Sequence, residues 1–258
     1  MKYKLFFLLF FSTLIYSQSS KIKALEEKGV LVGVQSYSFR TMDDQSPLAI
    51  LEYIKKTGIK HVELMGNHVE PFVGINENSK FLSKKRNEIS MSKFKELRKL
   101  YNDAGISIYA FKPKRCFEKN NTDADIKYGM RAAKALGATH ITLEHPEDDK
   151  HTLRLSQIAE QEGIFIGYHN HEQAKPTLWD TAISQSNYNR LNIDLGHYTA
   201  TETGDPIEIL KNKHSKIASM HIKDRKKISR GGENMIWGYG DTPIKQAIKI
   251  YKKEGYNF

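Results

Sequence analysis

The chain lacks the features that mark several protein classes. A single cysteine, Cys116, cannot close an internal disulfide, so stability must come from a buried core. Only 7 prolines occur in 258 residues, and no stretch is rich in Pro, Gly or Ser, which excludes collagen-like and linker-divided chains. Lys and Arg exceed the acids to give a net charge of +10, yet no block of five or six like charges appears. Basic charge spread in this way reads as a solubility feature rather than a nucleic-acid footprint. No strand–GxGxxG–helix context surrounds Gly231, Gly232, Gly238 and Gly240, so no phosphate cradle is visible. The basic segment Lys223–Arg230 reads as a solvated loop, and no Ser or Cys lies in a nucleophile-elbow context.

Long apolar runs are also missing, except at the start. Lys2 and Lys4 precede an unbroken run from Leu5 to Phe11, extended by Leu14, Ile15 and Tyr16 and closed by Ser17, Gln18, Ser19 and Ser20. A basic segment, a short apolar core and a small residue at the break describe a secretory signal. The run is shorter than the roughly 20 residues that span a bilayer. Residues 1–17 are therefore expected to be a cleaved signal peptide, and the mature protein to be exported to the periplasm or the extracellular space with no membrane span.

From Lys21 onward short apolar runs alternate with amphipathic stretches. Strands are expected at 30–34, 61–65, 106–111, 140–143, 164–168, 191–193 and 217–222, most of them rich in Val, Ile, Phe or Tyr. Between them Met91, Phe94, Leu97, Leu100, Tyr101 and Ala104 recur at helical spacing, as do Leu48, Leu51 and Ile54, and Ile244, Ala247, Ile248 and Tyr251. Gly58, Gly105, Gly137 and Gly163 each close a helical pattern shortly before the next strand, where a left-handed residue is favoured. Seven strand–helix units of this kind imply a parallel sheet with right-handed crossovers. Eight units make a (β/α)8 TIM barrel, typically of about 250 residues. The expected fold over residues 21–258 is such a barrel lacking the eighth strand and helix, and the sequence reads as a truncated copy of a longer protein.

Active sites of these barrels lie at the C-terminal ends of the strands. Strand four ends in Glu144, strand five in His169, Asn170, His171 and Glu172, strand six in Asp194 and His197, and strand seven in His221, Lys223 and Asp224. Imidazoles and carboxylates converging on one rim suit a divalent cation such as Zn, Mn, Co or Fe. Individually each residue has a plainer reading. His145 is taken as a hydrogen-bonded surface histidine, Glu172 as facing a loop, and Asp194 as a cap for the following turn. Four consecutive strand ends carrying ligand-type groups favour a metal site.

At these residues the chain resembles the sugar phosphate isomerase/epimerase proteins of the xylose-isomerase-like TIM-barrel superfamily. The matching elements are VGVQSYSFR from residue 32, ALGATHITLE ending at Glu144, GYHNHE, NIDLGHY, MHIKDR and WGYGDTPI at 237–244, in order over nearly all of the mature chain. The HNH and WGxGDTP forms resemble an exported bacterial subgroup. The resemblance implies one divalent metal ion (Mn, Co, Zn, Fe or Mg) held from strands five to eight. His169 occupies a position where many relatives have Glu, and Asp194 and His221 match the next two ligands. The fourth, a Glu on strand eight, has no counterpart before Phe258. Glu144 stands where the subgroup often carries an acid, as a ligand or proton-transfer group. His197 matches a histidine that contacts substrate hydroxyls, and Asp224 is grouped with it as substrate-binding.

The expected function is a metal-dependent isomerase or epimerase, or a lyase or hydratase, acting on a sugar or keto-sugar by proton abstraction next to a polarised carbonyl. Glu144 or His171 would move the proton and Lys223 would stabilise the oxyanion. The substitution at 169 removes one of the paired carboxylates of the isomerases, which keeps a non-catalytic carbohydrate-binding barrel open as an alternative. An endonuclease IV-like phosphodiesterase ranks lower, because it needs a metal cluster and no His follows His221. No nucleic-acid partner is expected, and homo-oligomerisation is left open.

Overall fold

The computed structural model describes residues 29–254 except Phe81. The signal-like segment at residues 1–17 lies outside the described residues. No helix among those described is long and apolar enough to cross a membrane.

Seven parallel strands build one sheet in chain order: β1 (Gly33–Gln35), β2 (His61–Met65), β3 (Ser107–Lys112), β4 (His140–Glu144), β5 (Phe165–His169), β6 (Asn189–Asp194) and β7 (Ile217–His221). The central residues of β2, β4 and β5 are buried, as expected of a parallel sheet covered by helices on one face and filled on the other, while the outermost strands β1 and β7 are only partly covered. The helices that follow the strands include α1 (Pro47–Thr57), α2 (Gly66–Val73), α3 (Leu82–Glu88), α4 (Ser92–Asp103), α5 (Asp123–Leu136) and α6 (Asp149–Glu162). Later come α7 (Asp180–Gln185), α8 (Leu195–Thr201), α9 (Pro206–Lys213) and α10 (Ile244–Glu254).

Local chemistry sets these boundaries. Ser46 caps α1 by accepting from the Ala49 amide at 3.2 Å, with Pro47 at the first helical position. Thr122 and Asp125 cap α5 reciprocally. Gly58, Gly105, Gly137 and Gly163 adopt φ of 76°, 72°, 86° and 66°, the left-handed geometry expected at these punctuation points. The buried stripe of α1 is Pro47, Ile50, Leu51 and Ile54, so Leu48 faces outward, one position away from the stripe expected from the sequence. Leu100 is likewise outside the buried face of α4, which is Phe94, Leu97 and Tyr101.

Contacts across the interior show that the sheet curls. Glu63 on β2 reaches His221 on β7, and His140 on β4 reaches Ser219 on β7. Strands β1 and β7 are the two outermost of the seven, and between them lies an apolar cavity of about 190 Å3 lined by Leu31, Gly33, Ile217, Met220, Ile248 and Tyr251. The architecture is a TIM barrel without the eighth strand among the described residues. Several expected strands differ in their bounds: β3 and β5 each sit one residue later, β6 covers 189–194 rather than 191–193, and the first strand moves most. β1 covers Gly33–Gln35 rather than 30–34, because its ladder begins opposite His61, the first residue of β2.

After β7 the chain forms a two-stranded hairpin, β8 (Asp224–Arg225) with β9 (Asn234–Met235), before a loop that leads into α10. This excursion stands at the same end of the sheet as the residues expected to carry the chemistry.

Candidate metal centre

The parallel register sets the strand ends side by side: Glu144 pairs with His169, and Asp194 pairs with His221. Their side chains form two overlapping groups able to hold a metal ion, Glu144–His169–His171 and His169–Asp194–His221. The His169 and His221 ring centroids lie 4.7 Å apart, and those of His169 and His171 4.9 Å.

His169 is buried, and its Nδ1 faces Asn192 Oδ1 at 2.7 Å. Its Nε2 faces Asp194 Oδ2 at 4.0 Å. Burial, and then His221, hold the His169 pKa down to about 4, so the ring is neutral. Asp194 divides its two oxygens. Oδ1 accepts from the His197 amide at 2.8 Å and caps α8, while Oδ2 lies 3.1 Å from Lys223 Nζ. The turn-capping reading and the ligand reading of Asp194 thus apply to different oxygens. Burial would raise its pKa, but Lys223 and the His197 amide outweigh that and keep it ionised.

Glu63, on β2, is a residue the sequence reading missed. It is fully buried, and its carboxylate accepts from His221 Nε2 at 2.6 Å, Thr142 Oγ1 at 2.5 Å and Gln35 Nε2 at 3.2 Å. Burial opposes ionisation, but His221 and the hydrogen bonds overcome it and hold the carboxyl far below the carboxylate range. Burial pulls the His221 pKa down most strongly, but the Glu63 charge, the Glu63 hydrogen bond and Asp194 together outweigh it and raise the pKa. A carboxylate on one imidazole nitrogen is the usual support for a histidine ligand, because it leaves the other nitrogen, here Nδ1, for the metal.

Glu144 is held by another missed residue, Lys112 at the end of β3, through Oε1 at 2.6 Å. Its Oε2 is shielded from solvent, has no hydrogen-bond partner and lies 3.4 Å from His171 Nδ1. Burial would raise its pKa, but Lys112 and then His169 lower it, so this is a carboxylate with one oxygen open.

The donors fit a divalent cation: one carboxylate oxygen and two imidazole nitrogens whose other nitrogens are already engaged. The two groups share His169, whose one open nitrogen can serve a single ion.

The sequence profile of the xylose isomerase-like TIM barrel matches residues 51–257. The chain belongs to the xylose isomerase-like TIM barrel family. No curated protein matches the sequence. Among solved structures, the probable 3-DHS dehydratase AsbF from Bacillus anthracis is similar, with 11% identity, a TM-score of 0.66, and coverage of 87% of this chain and 89% of that one. The 3-keto-D-glucoside 4-epimerase YcjR from E. coli shares 12% identity at a TM-score of 0.60, covering 88% and 89%. A xylose isomerase-like TIM barrel protein from Mycobacterium smegmatis, in complex with magnesium, shares 16% at 0.58, covering 81% and 78%. At these identities the likeness is one of fold.

Within this family member the other expected residues are placed as follows. His197 is half-buried beside the centre, its ring 4.6 Å from that of His171. Arg225 Nη1 lies 2.5 Å from His197 Nδ1 and 2.8 Å from Glu172 Oε1, so the guanidinium donates to both. Glu172 therefore does not merely face a loop; it braces the arginine that orients His197. Asp224 differs from expectation. Its carboxylate is buried and accepts from the amides of Gly238 at 2.7 Å, Gly240 at 2.9 Å and Thr242 at 3.2 Å. Those three bonds make it the anchor of the 238–242 loop in place of a substrate contact. A Cβ on Gly240 would stand 2.2 Å from Asp224 Oδ1, so only glycine allows this approach. His145 is also not at the surface: it is buried edge-on against Tyr168, with ring centroids 5.2 Å apart.

Proposed function

We propose that the chain is a divalent-metal-dependent enzyme that moves a proton at the carbon next to the carbonyl of a sugar or keto-sugar. The observation that carries this reading is the convergence of His169, Asp194 and His221 beside an ionised Glu144 with one unpartnered oxygen. His169, Asp194 and His221 would hold the cation. When bound, the ion supplies a Lewis acid that polarises the carbonyl and orders neighbouring oxygens.

Glu144 Oε2 takes the proton from the adjacent carbon, while Lys112 fixes the other oxygen and the direction of the carboxylate. His171 Nδ1, 3.4 Å away, shares that proton and returns it to carbon or oxygen. Return to the neighbouring carbon gives an isomer and loss of a group from the next carbon an elimination product, whereas an epimer requires a second proton donor on the opposite face of the carbon. The Lys223 ammonium neutralises the negative charge that develops on the substrate oxygen. His197, oriented by Arg225, gives its Nε2–H to a substrate hydroxyl. Trp237 and Tyr239 stand exposed on the loop that Asp224 anchors and offer apolar rings to the C–H face of a sugar. The signal-like sequence of residues 1–17 supports a location outside the cytoplasm for this chemistry.

The test is solvent exchange. Purified protein loaded with Mn2+ is incubated in D2O with a panel of ketohexoses and 3-keto-glycosides, and loss of the proton signal next to the carbonyl is followed by NMR. The wild type is expected to exchange at least one member of the panel, and Glu144→Gln to slow that exchange by about 10²–10⁴-fold. Sugar binding by calorimetry without exchange would replace the enzyme by a carbohydrate-binding barrel. Cleavage of abasic-site DNA would replace it by a phosphodiesterase.

A further inference from the structure

A hydrogen-bond chain through the barrel interior distinguishes the two ring nitrogens of His169, and its polarity can be read from one end. The Tyr109 carbonyl can only accept. Thr139 Oγ1 lies 3.0 Å from it and donates its one hydroxyl proton there. Toward His140 Nδ1, 2.9 Å away, Thr139 Oγ1 must then accept, so Nδ1 carries a proton. His140 is 2% exposed, and burial holds it neutral with a pKa pushed down to about 4, so Nε2 has none. That nitrogen accepts from the Ser219 hydroxyl at 2.8 Å. With its proton so placed, Ser219 Oγ accepts from Asn192 Nδ2 at 2.6 Å. This turns Asn192 Oδ1 toward His169 Nδ1 at 2.7 Å, and an amide oxygen only accepts.

We infer that Thr139, His140, Ser219 and Asn192 are positioning residues: they fix His169 in its Nδ1–H tautomer and so present a bare Nε2 to the cation. An unconstrained histidine favours the opposite, Nε2–H form, which would put a proton where the metal has to bind. A glutamate at this strand end would need no such device, whereas a histidine does. The decision is made at the floor of the barrel, at the start of β4, and delivered to the rim at the end of β5. The tautomer stands on hydrogen-bond geometry together with the neutrality of the buried His140 ring, while its use toward a cation rests on the metal reading of the rim.

The test uses the full chain, 15N-labelled at histidine and metal-free, with the His169 tautomer read from long-range 1H–15N spectra and Mn2+ affinity from a separate titration. The wild type is expected to show His169 protonated at Nδ1. Thr139→Val removes the hydroxyl that accepts from His140 Nδ1, at an exposed position, and keeps the side-chain shape. It is expected to shift His169 toward the Nε2–H form and to raise the Mn2+ dissociation constant about 10-fold. Thr139→Ser should restore both, which a purely structural role for Thr139 does not predict. Ser219→Ala breaks the chain one residue from Asn192 and gives the same readouts should Thr139→Val not fold. An Nε2–H His169 in the wild type, or an unchanged tautomer in both variants, would overturn the relay. A shifted tautomer with unchanged Mn2+ affinity would overturn its role toward the cation. Absence of Mn2+ binding in the wild type would overturn the metal reading, while a tautomer shift in Thr139→Val would still uphold the relay.

Discussion

Replacing Glu63 with glutamine tests how far the centre depends on a residue that touches no substrate. Glu63 is fully buried, and its three hydrogen-bond partners are all donors: His221 Nε2, Thr142 Oγ1 and Gln35 Nε2. Glutamine keeps the shape but turns one acceptor oxygen into an NH2 group. With that group facing His221, the imidazole must present a lone pair at Nε2 and carry its proton on Nδ1, the nitrogen assigned to the cation. Loss of such outer support costs about 10–100-fold in metal affinity, or about 1.4–2.8 kcal/mol. Calorimetric titration with Mn2+ or Zn2+ is expected to show that weakening in Glu63→Gln, with the same far-ultraviolet circular dichroism as the wild type. Affinity within twofold of the wild type in a folded variant would refute the placement of His221 in the metal site through Nδ1.

Three further outcomes follow from the same geometry. Glu63 holds the His221 pKa above its ordinary 6.5, so below that raised value the cation has to displace a proton. Metal affinity is therefore expected to climb about tenfold per pH unit and then level off above the His221 pKa, with the break moving to lower pH in Glu63→Gln; a flat profile between pH 5 and 8 would contradict the assignment. Arg225→Gln removes the donor that orients His197, and steady-state kinetics on the active sugar should show KM rising about tenfold with a smaller change in kcat. An unchanged KM would separate His197 from substrate binding. Expression with the native N-terminus in a secreting host should yield a mature protein beginning at Gln18 by N-terminal sequencing, and an intact Met1 would remove the signal-peptide reading.

Much of the barrel could be read from the sequence because its inner strands are largely buried and appear as short runs of Val, Ile, Phe and Tyr between glycine-closed helices. Glu144, His169, Asp194 and His221 could be found because the fold class says where to look: the last residue of each strand. Lys112 obeys the same rule, as the last residue of β3, and was missed because a lone lysine beside apolar residues reads as a solvated end. Glu63 had only one signal, a glutamate in the middle of the apolar run HVELM, and its partner His221 lies 158 residues further on. Asp224 was misplaced because sequence shows that it neighbours His221 and Lys223, while the β8–β9 hairpin turns its carboxylate toward the amides of 238–242. The sequence also shows that His145 follows Glu144, but not that its ring turns inward onto Tyr168. Each of these misses depends on a contact between residues distant in sequence, or on which face a side chain takes, and neither is visible in a pattern along the chain.

The most direct measurement is a crystal structure of the protein grown with Mn2+, with anomalous scattering used to locate the ion. One peak per chain is expected, within coordination distance of His169 Nε2, Asp194 Oδ2 and His221 Nδ1, with Glu144 outside the coordination sphere. No peak at this rim, or a peak held by Glu144 and His171 without Asp194 and His221, would contradict it.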